Sequence, residues 1–231
     1  MRYIHPVGGH EKFVASGIYH HQYDGVDTGT TESWSIHELP DGAWMIRVDE
    51  DYRAQDGSSV LIEGWRSPLT EGGQLLRVDI HAFSGKHDDI KQVRATYTVD
   101  EDVLQIGREI NNGEREWYTL QLPAGYILSP ECLIFAGFEV DELATRQDKC
   151  ASVIGYFPTF ISDYAFKPVV YQPVARFIGD EQLTLGNKTY QARHFEQTES
   201  LHLWVDQHTI LLKYEAGDAS HGAVLHQYAH R

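Results

Sequence analysis

The residues best suited to chemistry lie on three neighbouring predicted strands, where polar side chains alternate with apolar ones. The polar positions of these strands are Arg47, Asp49, Asp51, Glu63, Trp65, Arg77, Asp79 and His81. In a curved sheet they would line a polar cavity, where Arg47 or Arg77 holds an anionic group. Asp79 or His81 would then exchange protons with a bound small molecule. The other interpretation is a solvated sheet face, whose cross-strand charge pairs contribute roughly a few tenths of a kcal/mol each.

Aromatic residues are the second candidate set, since they make up 12% of the chain. Most of them are expected in the core, because large rings dominate burial in a β-rich domain. Trp65, Trp117 and Tyr118 are the candidates to line an apolar ligand cavity. Such a cavity is the usual use of a barrel too wide for its own side chains to fill.

The 13 histidines suggest a metal site, but their spacing gives little support for one. His194 and His202 lie on different predicted strands, so a site forms only if strand pairing brings them together. The sequence contains no HExxH or CxxC motif, no GxSxG elbow and no glycine-rich phosphate loop. It therefore predicts no metal, no cofactor and no catalytic residue by motif.

Turn signals define the elements that must position these residues. Asp24-Gly25 and Asn112-Gly113 predict hairpins, because both residues of each pair tolerate a positive φ. The predicted strands cover residues 13–23, 26–38, 43–52, 58–66, 74–83, 103–110, 114–122, 151–157, 169–178, 188–196, 201–205, 209–214 and 223–228. Ser129-Pro130-Glu131 offers an N-cap, a first-turn proline and an acidic first turn, which predicts one short helix near residues 130–144.

These elements predict a mainly β fold, a large antiparallel meander forming an open or half barrel or a sandwich. About a dozen strands with short connections are too many for a flat open sheet, so the sheet must curl, close or split. No linker composition divides the chain, so residues 1–231 are expected to form a single β-rich domain.

Charge and composition exclude several classes of partner. With 34 acidic against 19 basic residues, the net charge is −15, and the basic residues are scattered among carboxylates. Nucleic acid and anionic membranes are therefore not expected as partners. Cys132 and Cys150 are expected to be buried free thiols. With no signal-peptide core and no apolar run long enough to span a membrane, the expected location is the cytoplasm.

Four short segments carry a family resemblance. They are Ser16-Gly17-Ile18-Tyr19, Asp24-Gly25, Pro40-Asp41-Gly42 and Leu203-Trp204-Val205-Asp206. They resemble a bacterial family of uncharacterised proteins whose extended antiparallel sheets look curled like those of the periplasmic lipoprotein carriers. The resemblance implies an open, lipocalin-like barrel with a concave apolar face and, by analogy, a lipid-like ligand. It assigns no catalytic residue.

Three functional hypotheses follow, in order of support. The first is a binding protein that shelters a small apolar or amphipathic molecule in a curved β-sheet cavity. The second is a small-molecule enzyme that uses Arg77, Asp79 and His81 in acid–base chemistry. The third is an interaction module that forms a homo-oligomer through an exposed sheet edge or aromatic patch.

Overall fold

The fold is built on one large antiparallel sheet of 13 strands. The structure, a computed structural model, describes residues 1–231 except 69, 71, 87–89, 147, 149, 157, 159, 161–163, 199 and 219. The strands of the large sheet are β1 (Lys12–Tyr23), β2 (Val26–Glu38), β3 (Trp44–Tyr52), β4 (Ser58–Arg66), β5 (Leu75–Phe83), β6 (Gln92–Asp100), β7 (Val103–Ile110), β8 (Glu116–Gln121), β12 (Ala175–Leu185), β13 (Lys188–Gln197), β14 (Leu201–Val205), β15 (Leu211–Ala216) and β16 (His221–His230).

The strand order makes this sheet an open meander. It runs β12-β13-β14-β15-β16-β1-β2-β3-β4-β5-β6-β7-β8, so almost all neighbours are also consecutive in sequence. Within the described ranges, the end strands β12 and β8 do not pair with each other, and the sheet is not closed into a barrel. The predicted mainly β fold with a large, open antiparallel sheet is confirmed.

A helix and a small sheet form the second part of the fold. The helix α1 spans Leu133–Thr145, and the small sheet contains β9 (Ile127–Leu128), β10 (Val153–Tyr156) and β11 (Pro168–Tyr171). The prediction of one strand over residues 169–178 is wrong, because the chain leaves β11 at Tyr171 and enters β12 at Ala175. Pro173 lies between them, and a proline has no N–H to donate to a strand ladder.

The start of α1 also differs from the prediction. The helix is confirmed, but it begins at Leu133 and not near residue 130. The carboxylate of Glu32, on β2, accepts hydrogen bonds from the backbone N–H groups of Leu133 at 2.8 Å and Ile134 at 3.0 Å. A helix leaves its first N–H groups without intrahelical partners, so this distant side chain takes the capping role that Ser129 was expected to have.

The core lies between the large sheet and the helix with its small sheet. Val48, Ile62 and Ile80 are buried on one face of the large sheet, called the inner face below, and Ile134 and Leu143 are buried on α1. Both cysteines are free, but only one matches the expected burial: Cys132 is buried, whereas Cys150 is partly exposed. No helix among the described residues is long and apolar enough to cross a membrane.

Candidate functional site

The polar residues singled out in the sequence lie on the outer face of the large sheet, opposite the inner face. Arg47 is only 2% exposed and forms ion pairs with Glu11 at 2.7 Å and with Glu63 at 3.4 Å. The N-terminal segment, residues 1–11, covers this cluster. Within it, Arg2 pairs with Asp49 at 2.6 Å, and the backbone N–H of His5 donates to Glu63 at 2.9 Å.

The neighbouring strand completes the outer-face cluster. Arg77 pairs with Asp79 at 2.9 Å and lies over the ring of Trp65 at 5.0 Å. His81 is half-buried, and burial lowers its pKa. The structure thus brings together Arg47, Trp65, Arg77, Asp79 and His81 across three adjacent strands, β3 to β5.

Trp117 and Tyr118 lie apart from this cluster, on the edge strand β8. Trp117 is 65% exposed and stacks with Arg115, while the Tyr118 hydroxyl bonds to Glu116. Neither they nor the five residues above belong to the lining of the large cavity. Ligand contact at these seven residues stays a prediction.

A large cavity of about 1250 Å³ lies on the inner face. Its walls come from the ends of β1, β2 and β3, the start of α1, the small sheet, and strands β13 to β16. Apolar walls include Leu133, Leu201 and Leu203, and exposed Tyr23 and Val170 also line it. The cavity therefore combines a buried floor with an accessible apolar margin.

One end of this cavity is ionisable. The inner face of β2 and β3 is apolar at the cross-strand pair Trp34 and Val48. At the next inner-face pair the residues are Glu32, two positions before Trp34, and Glu50, two positions after Val48. These two glutamates are direct cross-strand partners, and they are 0% and 3% exposed. Like charges placed opposite each other in a sheet are destabilising, so this pair is an exception to the packing around it.

The two glutamates have different environments. Both oxygens of Glu32 accept backbone N–H groups at the start of α1, whereas Glu50 has no hydrogen bond or ion pair with the described residues. Burial raises the pKa of Glu32 to about 7. Burial and the neighbouring Glu32 raise the pKa of Glu50 well above its usual range. Glu50 is therefore the member of the pair that keeps a proton near neutral pH.

Other polar atoms of the cavity are unsatisfied. The Thr30 hydroxyl, the Tyr156 hydroxyl and Nε2 of His21 are buried and have no hydrogen-bond partner among the described residues. Thr30 and Tyr156 are 1% and 3% exposed, and all three residues line the cavity. Because buried polar groups in folded proteins are nearly always hydrogen-bonded, this concentration of unsatisfied atoms points to a partner outside the chain.

Cys132 joins the glutamates at this end of the cavity. Glu32, Glu50 and Cys132 each offer one ligand atom, and these three atoms lie within 4.8 Å of one another. Carboxylate and thiolate are both ligands for zinc. Burial raises the pKa of the Cys132 thiol, so a metal ion would have to displace protons to bind. These three side chains are therefore able to hold a cation, whether a metal ion or an organic one.

His194 and His202 are brought together elsewhere, as the metal hypothesis required. Their ring nitrogens Nε2 and Nδ1 lie 3.0 Å apart on β13 and β14, and Glu181 contacts Nδ1 of His194 at 3.1 Å. Both rings are therefore partly used by hydrogen bonds. The pair does not extend to a third metal ligand among the described residues, and no metal was predicted from the sequence.

Comparison with solved structures identifies one informative likeness. The fold is similar to a bacterial barrel-like protein. The similar structure is that of a beta-barrel-like protein of a domain of unknown function, DUF1849, from Brucella abortus, with a TM-score of 0.55 and 9% sequence identity. The similarity covers 95% of this chain and 98% of that one. It supports the expected barrel-like fold, and it concerns the fold alone.

Sequence comparison gives no further relative. No family model matches the chain, and no curated protein matches it. The cavity therefore has to be interpreted from its own residues.

Sequence reasoning missed Glu32 and Glu50, although strand alternation places both on the packed face. Glu32 and Glu50 each stand two residues from an apolar inner-face position, Trp34 or Val48, so period-two alternation places them on the packed face. A buried carboxylate is unusual unless it is paired, and this makes both positions exceptional. No comparable signal marks Cys132 or Tyr156, since their place depends on long-range packing.

The glutamate pair predicts a pH-dependent stability. Relative to Glu32→Gln, the free energy of unfolding of the unmodified protein should fall by roughly 2 kcal/mol between about pH 5 and about pH 8. Unfolded glutamate loses its proton near pH 4.5, whereas burial raises the pKa of Glu32 to about 7. The folded state thus binds more protons in this window, and rising pH removes that advantage. Urea denaturation at a series of pH values measures the effect, and parallel curves for the two proteins would contradict it.

Proposed function

We propose that the protein binds a small apolar or amphipathic molecule in the inner-face cavity. The observation that carries the proposal is the cavity of about 1250 Å³, which joins apolar walls to a cluster of unsatisfied polar groups. Small-molecule sites have this composition, with mostly apolar lining and a few convergent polar groups that fix orientation.

The size of the cavity argues against a packing defect. Protein interiors are packed to crystal-like density, and voids larger than a water molecule are few. Ligand pockets typically measure about 300 to 1,000 Å³, so this cavity is large enough for a molecule with an extended apolar part. Water alone would satisfy the polar end but would leave the walls around Leu201 and Leu203 wetted, which is unfavourable for apolar surface.

The position of the cavity suits an amphipathic ligand. Its polar end contains Glu32, Glu50 and Tyr156, and its exposed apolar margin contains Tyr23 and Val170. A ligand with one polar group and an apolar chain would match both regions at once. The analogy with lipid-like ligands that the sequence resemblance implied is compatible with this arrangement, but the proposal rests on the cavity itself.

A blocking substitution tests the proposal. The uncharged dye Nile red should bind the unmodified protein saturably, with a rise in fluorescence, and Ala136→Phe should weaken binding at least tenfold. Ala136 lies on α1 and lines the cavity, so a phenyl ring there occupies ligand space.

Thr145→Phe is the matched control, since Thr145 is exposed at the end of the same helix and does not line the cavity. It should bind the dye like the unmodified protein. Circular dichroism melts would establish that both variants are folded. Non-saturable binding to the unmodified protein, or equal affinity of Ala136→Phe and Thr145→Phe, would contradict the proposal.

A further inference from the structure

Carboxylate side chains have different partners on the two faces of the large sheet. On the outer face, Glu11, Asp49 and Asp79 each pair with an arginine at 2.6 to 2.9 Å. On the inner face, Glu50 is 3% exposed, and no positive charge or hydrogen-bond donor contacts it within the part of the chain that the structure describes. Leaving a carboxyl group buried without a partner is costly, and Glu50 lacks the positively charged partner that the outer-face carboxylates have.

The charges around the cavity favour a cation as the partner of Glu50. Four carboxyl groups line it: Glu32, Glu50, Glu131 and Glu139. Among the described residues that form the lining, none is a lysine or an arginine. Glu139 accepts hydrogen bonds from Gln197 and Tyr171, and Glu32 accepts two backbone N–H groups. Since Glu131 is exposed, Glu50 is the buried carboxyl group of the lining without a partner among the described residues. An anionic ligand would meet four carboxyl groups and no lysine or arginine in the described lining.

Two hydroxyl groups add independent support for a ligand at this end. The Thr30 and Tyr156 hydroxyls are almost completely buried, line the cavity and have no partner among the described residues. Thr30 stands two residues before Glu32 on the same face of β2. Tyr156 is close enough for the charge of Glu50 to act on it. A hydroxyl oxygen accepts hydrogen bonds, and an ammonium group has three N–H donors to give.

We propose that the polar group of the ligand is an ammonium, held by the carboxylates of Glu32 and Glu50 with the Thr30 and Tyr156 hydroxyls as further acceptors. The apolar chain of the ligand then lies against Leu201 and Leu203. The cavity thereby selects amphipathic amines over alcohols and carboxylic acids of the same chain length. This inference rests on the proposed binding function and names its ligand class.

The described side chains next to Glu50 include no lysine or arginine. Glu32 lies opposite Glu50 on β2, Cys132 offers a ligand atom within 4.8 Å of both glutamates, and Tyr156 lines the same cavity from β10. A bound ammonium would supply the opposite charge at this end of the cavity.

The experiment compares three ligands of equal chain length by calorimetry and by displacement of Nile red. Dodecylamine, dodecan-1-ol and dodecanoate are titrated below their aggregation concentrations at low ionic strength. We expect the amine to bind at least tenfold more tightly than the alcohol and the carboxylate to bind most weakly.

Two substitutions test whether amine binding depends on the charge of Glu50. Glu50→Gln should weaken amine binding at least tenfold and change alcohol binding much less, since it removes the charge and keeps the shape. Glu114→Gln, at an exposed position, is the control and should behave like the unmodified protein. The ranking of the three ligands needs no variant, so the proposal stays testable if Glu50→Gln folds poorly.

The outcomes separate the two proposals. Equal binding of amine and alcohol, or preference for dodecanoate, overturns the ammonium proposal but leaves the binding function standing. Absence of binding by Nile red and all three ligands overturns the binding function. Titration with Co²⁺ covers the metal alternative: a thiolate-to-cobalt absorption band that is lost in Cys132→Ser, without amine binding, would overturn the ammonium proposal in favour of a metal ion.

Discussion

Glu11→Ala is expected to destabilise the protein by about 3 to 5 kcal/mol, because it leaves a buried arginine without its main partner. The side chains of Arg47 and Glu11 are 2% and 5% exposed. Nη1 and Nη2 of Arg47 donate to the two oxygens of Glu11 at 2.7 and 2.8 Å, which is the bidentate geometry of a strong ion pair. Without Glu11, Arg47 retains its ion pair with Glu63 at 3.4 Å, but the carboxylate of Glu63 also pairs with His5.

Urea denaturation measures this effect, with an exposed ion pair as the control. Arg53 and Asp51 form a pair in which the arginine side chain is 61% exposed, so Arg53→Ala should cost much less stability than Glu11→Ala. Replacing both buried partners, as in Glu11→Leu with Arg47→Met, should recover much of the loss because no charge is then left buried. A loss in Glu11→Ala no larger than that in Arg53→Ala would show that water or another group solvates Arg47.

Local signals explain why most strand boundaries were predictable. Asp24 and Gly25 have φ values of 49° and 75°, as expected for the hairpin that the dipeptide indicated. Strand β6 was missed for the corresponding reason. It turns into β7 through Glu101, which has a φ of 54° although it is not glycine or asparagine. A turn formed by such a residue is not recognisable from the sequence, so the end of β6 could not be predicted.

The candidate site was less predictable than the fold because its parts meet through tertiary packing. Glu32 contacts the start of α1 across 101 residues, and Tyr156 reaches the same cavity from the small sheet. Alternation identifies Glu32 and Glu50 as inward-facing carboxyls, but it does not show which element they face. The outer-face cluster was easier to find, since its members are near neighbours on adjacent strands.

The second large effect concerns Gly137, on the face of α1 that packs against the large sheet. Intrinsic helix propensity predicts that Gly137→Ala stabilises the protein by about 1 kcal/mol. The packing predicts the opposite sign. A Cβ atom at this position would lie 2.5 Å from the carbonyl oxygen of Thr209 and 3.0 Å from the backbone nitrogen of Leu211. Leu211 is the first residue of β15 and Thr209 lies two residues before it. Both atoms belong to the backbone, which cannot rotate away as a side chain can.

Gly137→Ala should therefore destabilise the protein by about 2 to 3 kcal/mol, since overpacking forces the helix away from the sheet. The displacement also moves Leu133 and Ala136, which line the cavity, so Nile red affinity should fall in the same variant. Urea denaturation and the dye titration measure the two effects. Thr145→Ala, at the exposed end of the same helix, provides the comparison and should change stability by less than about 0.7 kcal/mol. Stabilisation by Gly137→Ala would mean that the helix stands further from Thr209 than the close contact of α1 with β15 requires.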